Sequence, residues 1–334
     1  MLRVKNIVIL GGGSWGTALA ISLAKKGLAV DLWCRNTAQA EEMRGTRLNK
    51  KYLPNASLPE NIRILTDLKE AVAGKDIVVL AVTSQSIRAV AEDIKPLVNE
   101  KMIIVNVAKG LEIGSNLRLS QVVGEILPKN PFVALYGPSH AEEVSIGMPT
   151  GLVAASENRE AALAVQDVFI SASLRVYTNH DLIGVEIGGA LKNIIALANG
   201  IAVGLGYGDN TQAILLTRGL AEITRLGVAL GANAATFQGL TGIGDLVVTC
   251  NSLHSRNRRC GVALGQGQKL EDVLKNMGMV VEGVNTTKAA VELAEKIGVS
   301  MPIAEQMYGV LFGDVDVKDV VERLMLRDKK NELE

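Results

Sequence analysis

Aromatic residues make up only 3% of the 334-residue chain, so any core must be aliphatic, and a 48% hydrophobic content is ample for one or two. The three cysteines, Cys34, Cys250 and Cys260, lack the C-x-x-C spacing of zinc and redox motifs. Their odd number argues against a disulfide framework and suits a reducing, cytoplasmic setting. Excess charge is missing too: 35 basic residues balance 35 acidic ones, leaving no broad field to attract a polyanion, so nucleic acid is not expected as a partner. An anionic ligand must therefore be held locally. No stretch reaches the ~18 uninterrupted apolar residues of a membrane helix. The nearest candidate, 182 to 207, is interrupted by Glu186, Lys192 and Asn199, so no membrane insertion is expected. The opening MLRVKNIVIL shows no cleavage pattern and runs into a glycine-rich turn, which reads as a first strand and not as a secretion signal.

Short, wholly apolar runs alternate with helical stretches in the first part of the chain. Val4 to Leu10, Ala29 to Cys34, Asp76 to Val82 and Met102 to Val107 read as strands buried on both faces, the pattern of a parallel sheet sandwiched by helices. Phe132 to Tyr136, Gly151 to Ser156 and Leu174 to Tyr177 extend it. From about residue 182 the spacing becomes helical, in segments 182–203, 210–230, 258–266, 285–297, 302–312 and 316–325. The expected architecture is α/β: a Rossmann-like doubly wound sheet domain over 1–180, then an all-α domain over 181–334, with a cleft between them.

Ile7-Val8-Ile9-Leu10 leads into Gly11-Gly12-Gly13-Ser14-Trp15-Gly16 and then a helix, the order a dinucleotide-binding turn requires. Gly11 permits the tight turn, Gly13 lets backbone approach a pyrophosphate, and Gly16 lets helix pack on strand. The helix N-terminus offers amide donors to the phosphates. The acid that would hold a ribose 2′-hydroxyl is missing where the second strand ends. Asp31 comes too early, and Arg35 stands where a 2′-phosphate would be met, favouring NADP(H) with NAD(H) admitted, unless Arg35 is simply solvated.

Lys192 sits in Gly188-Gly189-Ala190-Leu191-Lys192-Asn193-Ile194-Ile195-Ala196 with no carboxylate among its helical-face neighbours. The small residues leave room for a ligand, and burial would lower its pKa, which makes it a candidate general acid/base, the alternative being a snorkelling surface lysine. Lys109 follows a strand at the sheet's carboxyl edge, where ligands bind in open parallel sheets, or else is a solvated loop residue. Tyr136-Gly137-Pro138-Ser139-His140-Ala141 is a turn after a strand, in which Ser139 would otherwise serve as a helix cap. Asp245 lies in a glycine turn. Ser255-Arg256-Asn257-Arg258-Arg259 is a dense basic cluster at a helix start, suited to a phosphate or else a solvated face.

These segments together resemble the bacterial NAD(P)-dependent glycerol-3-phosphate dehydrogenases nearly from end to end. The carrying motifs are GGGSWGTALA (11 to 20), NVAKGLE (106 to 112), GPSHAEEV (137 to 144), GGALKNIIALANG (188 to 200), TGIGDLVVTC (241 to 250), HSRNRRCG (254 to 261) and VVEGVNT (280 to 286). The resemblance implies Lys192 as proton donor and acceptor, with Lys109, Gly137, Ser139, Asp245, Ser255, Arg256 and Asn257 around dihydroxyacetone phosphate or sn-glycerol 3-phosphate. It further implies that Ser14, Trp15, Arg35, Lys109, Ala141, Arg256, Val280 and Glu282 join Gly11, Gly13 and Gly16 at the cofactor. No metal is implied. Asn193 and Thr249 match further site positions, and His140 reads as structural. A cytoplasmic homodimer supplying glycerophospholipid synthesis is the family expectation. Gly12 departs from the alanine common in the first motif. The rival readings are another two-domain dehydrogenase acting on a 3-hydroxy acid or sugar phosphate, and a non-catalytic NAD(P) sensor.

Overall fold

A computed structural model describes residues 6–329 and 331–332. Ten strands occur among them: β1 Ile7–Leu10, β2 Val30–Trp33, β3 Leu48–Asn49, β4 Leu53–Ser57, β5 Ile62–Leu65, β6 Ile77–Leu80, β7 Ile103–Asn106, β8 Phe132–Tyr136, β9 Thr150–Ala155 and β10 Leu174–Asn179. Eight form one sheet in the order β10-β9-β8-β7-β6-β1-β2-β5, and β3 and β4 form a separate hairpin. The expected start of the first strand, Val4 and Lys5, lies outside the described residues.

β1, β2, β6 and β7 are buried at every position because helices cover both faces, which is why the sequence shows runs there and no alternation. Aliphatic clusters fill both sides: Ile9, Leu19, Leu32 and Val79 on one, Val8, Leu10, Val78 and Ile104 on the other. The sheet is not wholly parallel. β9 runs antiparallel to β8 and parallel to β10, the link from β8 carrying the six-residue Ala141–Ile146 helix.

From Leu182 onward the described elements are helical. The Leu182–Gly204 helix is almost wholly buried and is the axle of this part of the chain. Its length and hydropathy would also suit a membrane span, but 89% of the relevant window is buried inside the protein. The Arg256–Gly265 helix crosses it at backbone contact. A Cβ on Gly200 would lie 2.2 Å from the Arg258 carbonyl oxygen, and one on Gly261 would lie 2.1 Å from that of Leu197. These glycines are needed for closeness, and they bring the start of one helix to the middle of the other.

Candidate active site

The glycine-rich turn sits at the carboxyl end of β1. Gly11 has φ +130°, and a Cβ there would overlap the Ala81 carbonyl oxygen at 2.3 Å, so only glycine fits. Gly16 is equally tight: its Cβ would stand 2.1 Å from the Gly11 carbonyl oxygen. Gly13 is different, with nothing within 4 Å of an added Cβ. It is also the N-cap of the Ser14–Lys25 helix, which no side chain caps among the described residues. The helix amides and an open backbone face thus meet at one point, which fits a pyrophosphate. At Gly12 an added Cβ would lie 2.3 Å from Cys34 Sγ. All three cysteines are unpaired and buried, and burial pushes their thiols up, to about 11 for Cys34 and Cys260 and about 12 for Cys250.

Between the sheet and the helices lies a cleft of about 1300 Å³. Gly11, Gly13, Ser14, Trp15, Arg35, Ala141, Val280 and Glu282 line it, as do Lys109, Ser139, Lys192, Asp245, Ser255, Arg256 and Asn257. Gly16 and Gly137 do not. Gly16 lies beneath the turn, and Gly137, at φ +149°, supplies the carbonyl that accepts from Lys109 Nζ at 2.9 Å. Asp31 faces other partners, pairing with Lys75 Nζ at 2.5 Å and Arg63 at 2.8 Å, while Arg35 is exposed at the cleft.

Lys192 is buried at the middle of its helix, but its surroundings differ from the expectation. The space beside Gly188 and Gly189 is filled by protein: added Cβ atoms would stand 2.6 Å from the Thr241 carbonyl oxygen and 2.8 Å from the Tyr136 ring. These close approaches bring Lys109 and Asp245 to the lysine. Lys192 Nζ donates to Asp245 Oδ1 and, at 2.7 Å, to Thr249 Oγ1; Lys109 Nζ reaches Asp245 Oδ2 at 2.6 Å. Tyr136 donates its hydroxyl to the Ala108 carbonyl and accepts from Asn106 at 2.8 Å, fixing the loop that carries Lys109. Asp245 itself opens a helix, Asp245–Asn251, that sequence reading did not anticipate; a π-turn over Leu240–Gly244 precedes it.

Burial drives the Lys192 pKa down to about 7, against the attraction of Asp245 and with the help of Lys109. Burial pushes the Asp245 carboxyl the other way, but the two ammonium groups hold it below its ordinary value. The arrangement is one carboxylate clamping two lysines, one of which exchanges its proton near neutrality.

At the far side, Ser255 caps the Arg256–Gly265 helix by accepting from Arg258 N at 3.2 Å, and Ser139 Oγ donates to the Gly137 carbonyl at 2.9 Å instead of capping a helix. Asn257 is buried, donating to Asn193 Oδ1 at 2.9 Å and accepting from Gly283 N at 2.8 Å. Glu282 accepts from Ser84 N at 3.1 Å and Ser84 Oγ at 2.5 Å, tying the helical region to the turn after β6. Sequence reading missed Ser84, Thr83 and Gln85. It also missed Lys51 and Tyr52, from the hairpin that Asn49 pins to the Gly12 carbonyl at 2.9 Å. No group of three or more His, Cys, Asp or Glu residues placed to hold a metal ion occurs among the described residues.

Two family models match the chain, described as the N-terminus of NAD-dependent glycerol-3-phosphate dehydrogenase over residues 6–162 and its C-terminus over residues 181–322. A protein of Clostridium perfringens named glycerol-3-phosphate dehydrogenase [NAD(P)+] is 52% identical over 98% of this chain and 99% of its own length. One of the same name from Geobacillus kaustophilus is 55% identical over 99% and 97%. The crystal structure of glycerol-3-phosphate dehydrogenase from Coxiella burnetii superposes with a TM-score of 0.94 at 39% identity, covering 97% of this chain and 99% of that one.

Proposed function

The chain belongs to the NAD-dependent glycerol-3-phosphate dehydrogenase family, and from that premise we propose that it interconverts dihydroxyacetone phosphate and sn-glycerol 3-phosphate with NAD(P)H. The observation that carries the reading is the buried Lys192–Asp245–Lys109 cluster, in the same cleft as the open backbone at Gly13. When bound, the nicotinamide supplies the hydride for the substrate's C2 and accepts it in the reverse direction.

The protein's residues supply the rest. Lys192 gives its proton to the C2 oxygen as the alcohol forms and takes it back as the ketone forms. A pKa of about 7 lets it do both near neutrality. Asp245 orients Lys192 and Lys109, and the two cations stabilise charge growing on that oxygen. Thr249 holds a second position around Lys192 Nζ, beside Asp245. Arg256, with Ser255 and Asn257 at the start of the ten-residue Arg256–Gly265 helix, clamps the phosphate and so aligns the reacting carbon. Ser139 shapes the wall beside Lys109, and Gly137, behind it, steadies Lys109 Nζ through its carbonyl. The turn of Gly11, Gly13, Ser14, Trp15 and Gly16 would hold the cofactor's pyrophosphate, and Ala141, Val280, Glu282, Lys109 and Arg256 would hold the rest of it in the same cleft. Arg35 would meet a 2′-phosphate, which favours NADP(H). We extend the proposal to a cytoplasmic homodimer that feeds glycerophospholipid synthesis, on the family resemblance.

The test is Lys192→Met. Turnover should fall by about 10²–10⁴-fold while NADPH binding, read by its fluorescence, persists. Retained turnover would remove Lys192 from proton transfer.

A further inference from the structure

Lys192 and Asp245 stand on helices, but Lys109 stands on the irregular segment 107–118, between β7 and the Leu119–Ile126 helix. A cation on such a segment keeps its place only if side chains hold the backbone around it. On the near side of Lys109 they do. Tyr136 donates to the Ala108 carbonyl, and the Asn106 amide brackets the same residue, donating to its carbonyl at 3.0 Å and accepting from its N–H at 3.1 Å.

On the far side the bonds come from Gln85, in the turn after β6, which the mechanism above does not use. Its Nε2 donates to the Leu111 carbonyl at 2.8 Å and its Oε1 accepts from Ile113 N at 3.0 Å, so one side-chain amide pairs with this backbone as a neighbouring strand would. The reversed amide would set donor on donor and acceptor on acceptor, which fixes its orientation. The same Nε2 donates to Ser84 Oγ at 3.2 Å, and that hydroxyl donates in turn to Glu282. Gly110 lies directly against Ser84, where an added Cβ would stand 2.8 Å from the serine Cβ. Arg88 holds Glu112 through two bonds of 2.8 Å. Segments 84–88 and 109–113 are therefore packed and bonded as one unit, with Lys109 at its cleft edge.

We propose that Gln85 is a positioning residue, which by bonding Leu111 and Ile113 holds Lys109 against Asp245 and so keeps that second cation beside Lys192. This rests on the reaction proposed above. Without the amide, Lys109 is free to withdraw. Asp245 then serves Lys192 alone and a repelling charge is gone, so Lys192 keeps its proton to higher pH. The other ionisable groups that act on or feel Lys192 do not mask this change, because burial keeps the His140 ring and the Cys250 thiol uncharged near neutrality.

The experiment follows kcat for ketone reduction against pH in the wild type and in Gln85→Met, which keeps the length of the side chain and removes its hydrogen bonds. The limb that falls as pH rises needs protonated Lys192. In the variant kcat at neutral pH should fall by about tenfold or more, and the midpoint of that limb should rise by at least about half a pH unit. In a Lys109→Met background the same substitution should add no further rise, since its route is gone. A midpoint that stays or falls in the folded variant would overturn the proposal, as would an equal rise in the Lys109→Met background. Circular dichroism and NADPH fluorescence establish folding, and Gln85→Ala, which removes the same bonds, provides a second variant with the same expected rise. Hydrogen exchange at the Ile113 amide reads the anchor without the reaction. It should quicken by about tenfold in Gln85→Met, and unchanged exchange would also overturn the proposal. Failure of the wild type to reduce dihydroxyacetone phosphate would instead count against the reaction itself.

Discussion

Replacing Asp245 by asparagine isolates the electrostatics of the site, because shape is kept and one charge is lost. Asp245 is fully buried, with Lys109 Nζ at 2.6 Å from one oxygen and Lys192 on the other. Without its charge the two ammonium groups face each other with no anion between them, and the one at the more buried position, Lys192, should lose its proton first. A unit-charge pair about 4 Å apart at an effective dielectric of about 20 is worth about 4 kcal/mol, or about three pKa units. Asparagine still offers one lysine an acceptor, so a downward displacement of about one to three units from the starting value of about 7 is expected. The assay is kcat for ketone reduction against pH. Its upper limb needs protonated Lys192, and its midpoint should move to lower pH in Asp245→Asn, while the rising limb for alcohol oxidation moves the same way. Circular dichroism and NADPH fluorescence confirm that the variant folds and binds cofactor. A midpoint that stays at its wild-type position in a folded variant would refute the assignment of the titrating group to Lys192 under Asp245's control.

Two further outcomes follow from the same structure. Arg35→Ala should lower kcat/KM for NADPH by about tenfold, the low end for an exposed charge-assisted contact, and leave NADH nearly unchanged; equal effects on both would show that Arg35 does not read the 2′-phosphate. Glu222 is buried away from the cleft and accepts from Ile303 N at 2.7 Å. Burial raises its pKa from 4.5 to about 7, so its stabilising contribution is full below about pH 4.5 and is lost as pH rises through 7. Relative to the wild type, Glu222→Gln should therefore gain thermal stability between pH 5 and pH 8, by at most about 3 kcal/mol. A difference in Tm that does not change with pH would contradict this.

Local order made the nucleotide end legible. A strand, a G-x-G-x-x-G turn and a helix occupy consecutive residues; Gly11 and Gly16 are required by contacts within that unit or with the segment after the neighbouring strand, and Gly13 leaves its backbone open. Lys192 was legible as unusual because no carboxylate lies among its neighbours on the helix face. Its partner was not, since Asp245 comes from 53 residues further on, and only the close packing at Gly188 and Gly189 brings it there. The glycines beside Lys192 looked like space for a ligand and are instead where Tyr136 and Thr241 press in. The same limit applies to the Ser84–Glu282 bond, 198 residues apart, and to the 48–57 hairpin, whose two short strands carry too little apolar pattern to stand out. β9 was legible as a strand, but its antiparallel direction was not, because its residues are as apolar as those of the parallel strands.

The most direct test of the central claim follows the loss of reduced-nicotinamide absorbance when purified protein meets dihydroxyacetone phosphate, in parallel with NADPH and NADH. The account predicts rapid, substrate-dependent oxidation, faster at low concentration with NADPH. Absence of oxidation with either cofactor, by a protein that still binds both, would contradict it.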